Sequence, residues 1–112
     1  MKNRDLITLF LAGTEEGKGS NLEIQGRHLV NYDTVIASWN GRIDIENIGL
    51  LDHMELEINC RKYSKTTSKI QHELARQVNK LKKANEKYFF LVLHGHTKEV
   101  EELEKIIFDG IR

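Results

Sequence analysis

Apolar residues recur along the chain with two different periods, and the change of period divides it into a helical start, an extended middle and a mixed end. Leu6, Ile7, Phe10 and Leu11 follow the three-and-four spacing that puts side chains on one side of an α-helix. Asn3 or Asp5 is a suitable cap for that helix, and Gly13 a suitable stop. Residues 13–20 (GTEEGKGS) are polar and glycine-rich and read as a turn. From Asn21 to Asn59 the period falls to two. Leu22 and Ile24 alternate with polar neighbours, Gly26 marks a turn, and Leu29, Val30 and Tyr32 follow. Thr34-Val35-Ile36-Ala37 is a compact apolar strand, and Asn40-Gly41 is a strong hairpin dipeptide. Ile43 and Ile45 alternate beyond it, as do Met54, Leu56 and Ile58. The pattern predicts a meander of four or five antiparallel strands, with residues 46–53 (ENIGLLDH) as an excursion carrying Leu50 and Leu51.

Ile70, Leu74, Val78 and Leu81 then return to helical spacing and predict the longest helix, over about 67–84. Thr66 or Thr67 can cap it, or Ser68 can open it as a capping box with Gln71. In this register Lys69, Arg76, Lys80 and Lys83 face solvent. Tyr88-Phe89-Phe90-Leu91-Val92-Leu93 is too short for a further helix, is rich in β-formers, and reads as a buried strand. A last helix has Thr97 as cap, Val100, Leu103, Ile106 and Ile107 facing inward, and Gly110 as its end. With no proline, no repeat and no low-complexity tract, nothing divides residues 1–112 into more than one domain. The expected class is α+β. An antiparallel sheet of four to six strands carries a short N-terminal helix, one long basic helix and a C-terminal helix on one face.

Composition narrows the setting. An apolar fraction of 39% and a charged fraction of 30% are ordinary for a soluble protein. No apolar run approaches the ~18 residues of a membrane span. Asp5 and Thr8 break the apolar stretch near the start, so it reads as a helix rather than a signal peptide. The single cysteine, Cys60, excludes an internal disulfide and fits a reducing compartment, so a cytoplasmic location is expected.

The formal net charge of zero hides a strong asymmetry. Between residues 60 and 83, Arg61, Lys62, Lys65, Lys69, Arg76, Lys80, Lys82 and Lys83 meet one acidic residue, Glu73, whereas both flanking segments are net acidic. Such a segment attracts phosphates or an acidic protein surface. The alternative is intramolecular, with the basic helix balanced by the acidic strands and the acidic terminal helix.

Candidate chemistry is sparse. Gly17, Lys18 and Ser20 echo a phosphate-binding loop, but Gly19 separates Lys18 from Ser20, and the order of helix and strand is reversed. His94-Gly95-His96 could share a metal, with Asp52, His53 and Glu55 as further candidates, yet the spacing implies no third ligand. Arg61 and Lys62 would lower the pKa of Cys60, but its alternation with Ile58 points it inward as a packing residue. Ser64 and Ser68 lack a motif that supplies a base. The expectation is a non-enzymatic protein that needs no cofactor and no metal. Residues 59–71 remain the most informative segment. Tyr63, Ser64, Thr66, Thr67 and Ser68 lie among Arg61, Lys62, Lys65 and Lys69 at a strand-to-helix junction. A helix N-terminus favours an oxyanion, Tyr63 can stack on a base or pack on the core, and capping uses only one or two hydroxyls. The expected contact surface is therefore Arg61, Lys62, Tyr63, Lys65, Thr66, Thr67, Ser68, Lys69, Arg76 and Lys80.

Three stretches together resemble a family. Ser20-Asn21-Leu22, the strand Leu29-Val30-Asn31-Tyr32-Asp33-Thr34-Val35-Ile36-Ala37, and Ile58-Asn59 with the junction Lys62-Tyr63-Ser64-Lys65-Thr66-Thr67-Ser68-Lys69-Ile70-Gln71 are similar to small proteins carried by bacteriophages and plasmids. The likeness covers about residues 20–75. Segment 46–57 and the C-terminal strand-helix unit depart from the family pattern. Some phage-borne modules of this kind look like anti-CRISPR inhibitors of Cas9, so the resemblance implies counter-defence in a bacterial host and transfers no catalytic residue. The partner it implies is a host nucleoprotein, such as Cas9 or its guide complex. Direct DNA or RNA binding by segment 61–83 is the alternative. The acidic flanks and zero net charge favour a protein partner over bare nucleic acid, because dedicated nucleic-acid binders are usually basic overall.

Overall fold

The computed structural model describes residues 1–43, 52–84 and 89–111. In order these form α1 (Asn3–Leu11), β1 (Glu16–Lys18), β2 (Leu22–Gln25), β3 (His28–Asn31), β4 (Thr34–Ile43), β5 (Asp52–Asn59), α2 (Lys65–Ala84), β6 (Phe90–His94) and α3 (Thr97–Ile107). All six strands belong to one sheet and lie in chain order. The first five make the expected antiparallel meander. β6 departs from it and pairs parallel with β5, from Glu55↔Phe90 to Asn59↔His94. The cause is α2: a helix between two strands carries the chain back to its starting end, so the next strand runs the same way. The class is α+β, with a mixed sheet.

Alternation sorts the sheet into two faces. Leu22, Ile24, Leu29, Ile36, Trp39, Leu56 and Ile58 are buried and meet the apolar sides of the helices. α1 contributes Leu6, Ile7, Phe10 and Leu11, α2 contributes Ile70, Leu74 and Val78, and α3 contributes Leu103 and Ile107. The register between β3 and β4 slips, so that Leu29 faces Ala37 while Val30 faces Val35. The extra residue is Ile36, and the bulge turns both Ile36 and Ala37 inward. Trp39 locks α1 to the sheet, donating its indole N–H to the Phe10 carbonyl at 2.9 Å. Its ring also lies against Phe10 and Phe89.

Several boundaries differ from the sequence reading. Asn40-Gly41 is not a turn; it continues β4, opposite Glu55 and Met54. The dipeptide bends a chain only where the two strands it joins are immediate partners, and here the pairing of β4 with residues 52–59 outweighs local preference. Within the glycine-rich 13–20 segment lies β1, an edge strand. Gly17 faces the core there, and a Cβ atom on it would come within 2.6 Å of Leu6 Cδ1, so any larger residue requires the Leu6 side chain to move. The anticipated buried strand is an edge strand with Phe90 59% exposed, because no seventh strand covers it among the described residues. Residues 46–51 of the excursion, Ile45 and Tyr88 lie outside the described residues, and β5 already begins at Asp52.

The caps also shift by a residue or two. α1 opens at Lys2 with no side-chain cap. It closes at Gly13, whose φ of 96° lets Thr14 N–H reach back to the Leu9 carbonyl at 3.0 Å. At α2, Ser64 rather than Thr66 or Thr67 accepts from a first-turn amide, Thr67 N–H, at 3.2 Å. α3 opens at His96 rather than Thr97, and Glu99 accepts from His96 N–H at 3.0 Å.

Candidate functional site

The junction before α2 is held by polar side chains that have left the surface. Thr67 is 4% exposed and donates its hydroxyl to Asn31 Oδ1 at 2.7 Å. Asn31, 1% exposed, donates in turn to the Asn21 carbonyl at 2.6 Å. Gln71 donates to the carbonyls of Asn59 and Arg61 at 2.7 and 2.9 Å. From the α3 side, the Glu99 carboxylate accepts from Lys62 N–H at 2.8 Å and holds the junction against that helix. The His96 and Lys62 amides keep the Glu99 carboxyl below its ordinary pKa. Two hydroxyls of the junction, those of Ser64 and Thr67, are therefore structural. Replacing Asn31 by Leu leaves the Thr67 hydroxyl only Ser64 Oγ, at 3.1 Å, and strands the Asn21 carbonyl, which should cost about 1–3 kcal/mol. Urea unfolding checks this, and an unchanged midpoint would contradict the network.

The remaining predicted site residues separate into groups. Arg61 turns to the open face of the sheet, where it shares a shallow groove with Val35, Ser38, Glu57, Asn59 and His94. Lys62 faces α3 and pairs with Glu102 at 3.7 Å. Tyr63 is 51% exposed, and its hydroxyl accepts from Asn59 Nδ2 at 3.0 Å. Thr66 is exposed and Ser68 half-buried on the first turn of α2. Lys65, Lys69, Arg76 and Lys80 are exposed and form one straight line along α2. Their spacings of four, seven and four residues match the 3.6-residue turn, and they lie opposite the buried Leu74 and Val78. The line runs about 22 Å at 1.5 Å per residue. His72 flanks it and meets Glu102 at 3.4 Å, and Glu73 meets Arg76 at 3.3 Å. Lys65, Lys69 and Lys80 enter no ion pair among the described residues. Internal balance thus accounts for Lys62 and part of Arg76 but leaves most of the line open.

Sequence reasoning missed a polar ladder across the open sheet face. His28 Nδ1 lies 2.7 Å from Ser38 Oγ, and Ser38 stands opposite Glu57. Glu57 accepts from Asn40 Nδ2 at 2.6 Å and lies 3.4 Å from His94 Nε2. Period-two alternation could have placed these residues on one face, but only the register puts them in a row. The carboxylate reaches His94 and not His28, so the Ser38–His28 pair lacks the third group that would orient a general base.

Burial pushes the Cys60 thiol up to about 11 from 9.0, with Glu104 and Glu99 adding to the shift and Arg61 opposing it weakly. Cys60 is buried, as its alternation with Ile58 predicts, and the lowering effect of Arg61 is outweighed. The neutral thiol is the folded form, so its contribution to stability is complete below about pH 9 and lost as pH rises towards 11. The stability difference between the native chain and Cys60→Ala should therefore shrink over that interval, by an amount on the order of 2 kcal/mol. Denaturation at a series of pH values measures it, and a difference that stays constant would contradict the burial.

His94 lies on the open face, whereas His96 caps α3. The side chains of Asp52 and His53 lie outside those described. Among the described residues, no three His, Cys, Asp or Glu side chains are grouped so as to hold a metal ion. Nor is any described helix long and apolar enough to cross a membrane. Compared with family models, curated proteins and solved structures, the chain matches none.

Proposed function

We propose that this protein works by stoichiometric, non-catalytic binding to a nucleoprotein of a bacterial host, with the cationic line of α2 as its contact surface. One observation carries the reading: Lys65, Lys69, Arg76 and Lys80 stand in a row on a helix whose opposite side is fixed in the core. The helix backbone that spaces the cations is fixed in advance, so only side-chain entropy is lost when a polyanionic surface docks on the row. The junction's resemblance to phage and plasmid proteins supplies the setting, counter-defence, and a Cas9-type complex in the cytoplasm as the target. The neutral thiol of Cys60 and the unoriented Ser38–His28 pair support binding over catalysis. A helix-turn-helix mode of DNA reading is disfavoured, because strand β5 and an extended junction precede α2.

The test is capture of a guide-loaded Cas9-type complex by the purified protein, with the stoichiometry read by mass photometry. One copy or a fixed small number per complex is expected, and target cleavage should fall in proportion to occupancy. His94→Ala combined with His96→Ala should leave capture unchanged. Failure to retain such a complex at low salt would sink the counter-defence reading.

A further inference from the structure

Beside the line of cations, α2 and α3 run parallel and leave a shallow groove between their C-terminal halves. Asn79 spans its floor, donating to the Ile107 and Asp109 carbonyls at 2.9 Å each. The groove has a volume of about 540 Å³ and is lined by Arg76, Asn79 and Lys80 of α2 and by Lys105, Ile106 and Asp109. Three cations from two helices thus face a single carboxylate across one opening. Lys80 and Lys105 make no ion pair among the described residues. Lys105 stands on the acidic terminal helix, where the sequence pattern gave no reason to single it out.

We propose that this groove seats the phosphodiester backbone of a nucleic-acid strand lying along α2, with Arg76 and Lys80 on one side of a phosphate and Lys105 on the other. The inference rests on the nucleoprotein reading above and names the component of that target which α2 touches. Two observations select nucleic acid over an acidic protein surface. The first is length: the groove continues the line through Lys69 to Lys65, so the charge to be matched extends over about 22 Å. A duplex offers about one phosphate charge per 1.7 Å of axis, whereas carboxylates on a folded protein come in separated patches. The second is the lining. Among the described residues no aromatic side chain borders the groove, and the one apolar member, Ile106, is half-buried. Protein hot spots are built on aromatic anchors seated in dry pockets, and none of the described residues lining this groove is aromatic. Contacts of this kind go to the backbone and fix position without reading sequence.

The experiment is equilibrium binding of the full chain to a labelled single-stranded RNA and a labelled DNA duplex, each long enough to span α2, over a range of salt concentrations. Lys105→Glu should weaken binding roughly tenfold and reduce the salt slope by about one, as loss of a phosphate contact does. Lys105→Gln should give a smaller loss in the same direction. Lys98→Glu, an exposed cation at the other end of α3, should change neither, and matched thermal melts confirm that all variants are folded. If Lys105→Glu behaves like Lys98→Glu while Lys65→Glu with Lys69→Glu weakens binding, the groove is overturned and the cationic line stands. If neither oligonucleotide binds at low salt while the nucleoprotein is still captured, α2 meets protein, and the inference is overturned without the broader reading. If poly-glutamate displaces the oligonucleotides charge for charge, the preference for phosphate is likewise refuted.

Discussion

Replacing Leu74 by Ala should lower unfolding stability by about 2–5 kcal/mol, the range for a buried leucine whose surroundings cannot fully collapse. Leu74 is fully buried at the middle of α2, between Ile70 and Val78, on the side that meets the sheet. α2 itself joins the helices on either side of it. Gln77 donates to the Arg4 carbonyl of α1 at 2.9 Å, and Asn79 donates to the carbonyl at the end of α3. A cavity at Leu74 cannot be filled by moving α2 without straining both neighbours. The loss is a large share of the ~5–15 kcal/mol that holds a domain of this kind together. Lys80→Ala on the exposed side should stay within about 0.5 kcal/mol. Urea denaturation of both variants decides it, and equal midpoints would mean that the buried side of α2 had been assigned wrongly.

The helices were legible because their apolar spacing depends on local geometry alone. Ile70, Leu74 and Val78 are buried and Lys69, Arg76, Lys80 and Lys83 are exposed, as the period predicts, whereas Leu81, expected on the buried side, is only partly buried near the end of the helix. Errors arose where a distant partner decided the outcome. Asn40-Gly41 has the composition of a turn but is paired with Glu55 and Met54, and no local pattern reports that pairing. The parallel register of β6 follows from the crossover through α2, although its residues have the same β preference either way. The hydroxyl-rich junction shows the same limit on the functional side. Thr67 and Thr66 are indistinguishable by composition, yet one is bonded to Asn31 inside the protein and the other faces solvent. Lys105 became a candidate only when the parallel packing of α2 and α3 brought it to the same groove as Arg76 and Lys80.

Changing Lys65, Lys69, Arg76 and Lys80 together to Glu should abolish capture of the nucleoprotein while leaving the fold intact. All four are exposed, and the one ion pair on this line among the described residues, Arg76 with Glu73, is a surface contact of small energetic weight. Opposite charges can therefore replace them at little cost to stability. The effect on binding is large because counterions released from the partner supply the free energy. With about four phosphates neutralised, raising salt fourfold should weaken the native protein about a hundredfold. The variant should lose both the affinity and its salt dependence, since reversed charges repel the surface they replaced. Conversion to Gln should fall between the two, which separates loss of attraction from added repulsion. Capture by the Glu variant at native strength, with a native melting temperature, would show that α2 is merely solvated and would move the contact surface to the open face of the sheet, where Arg61, Glu57 and His94 meet.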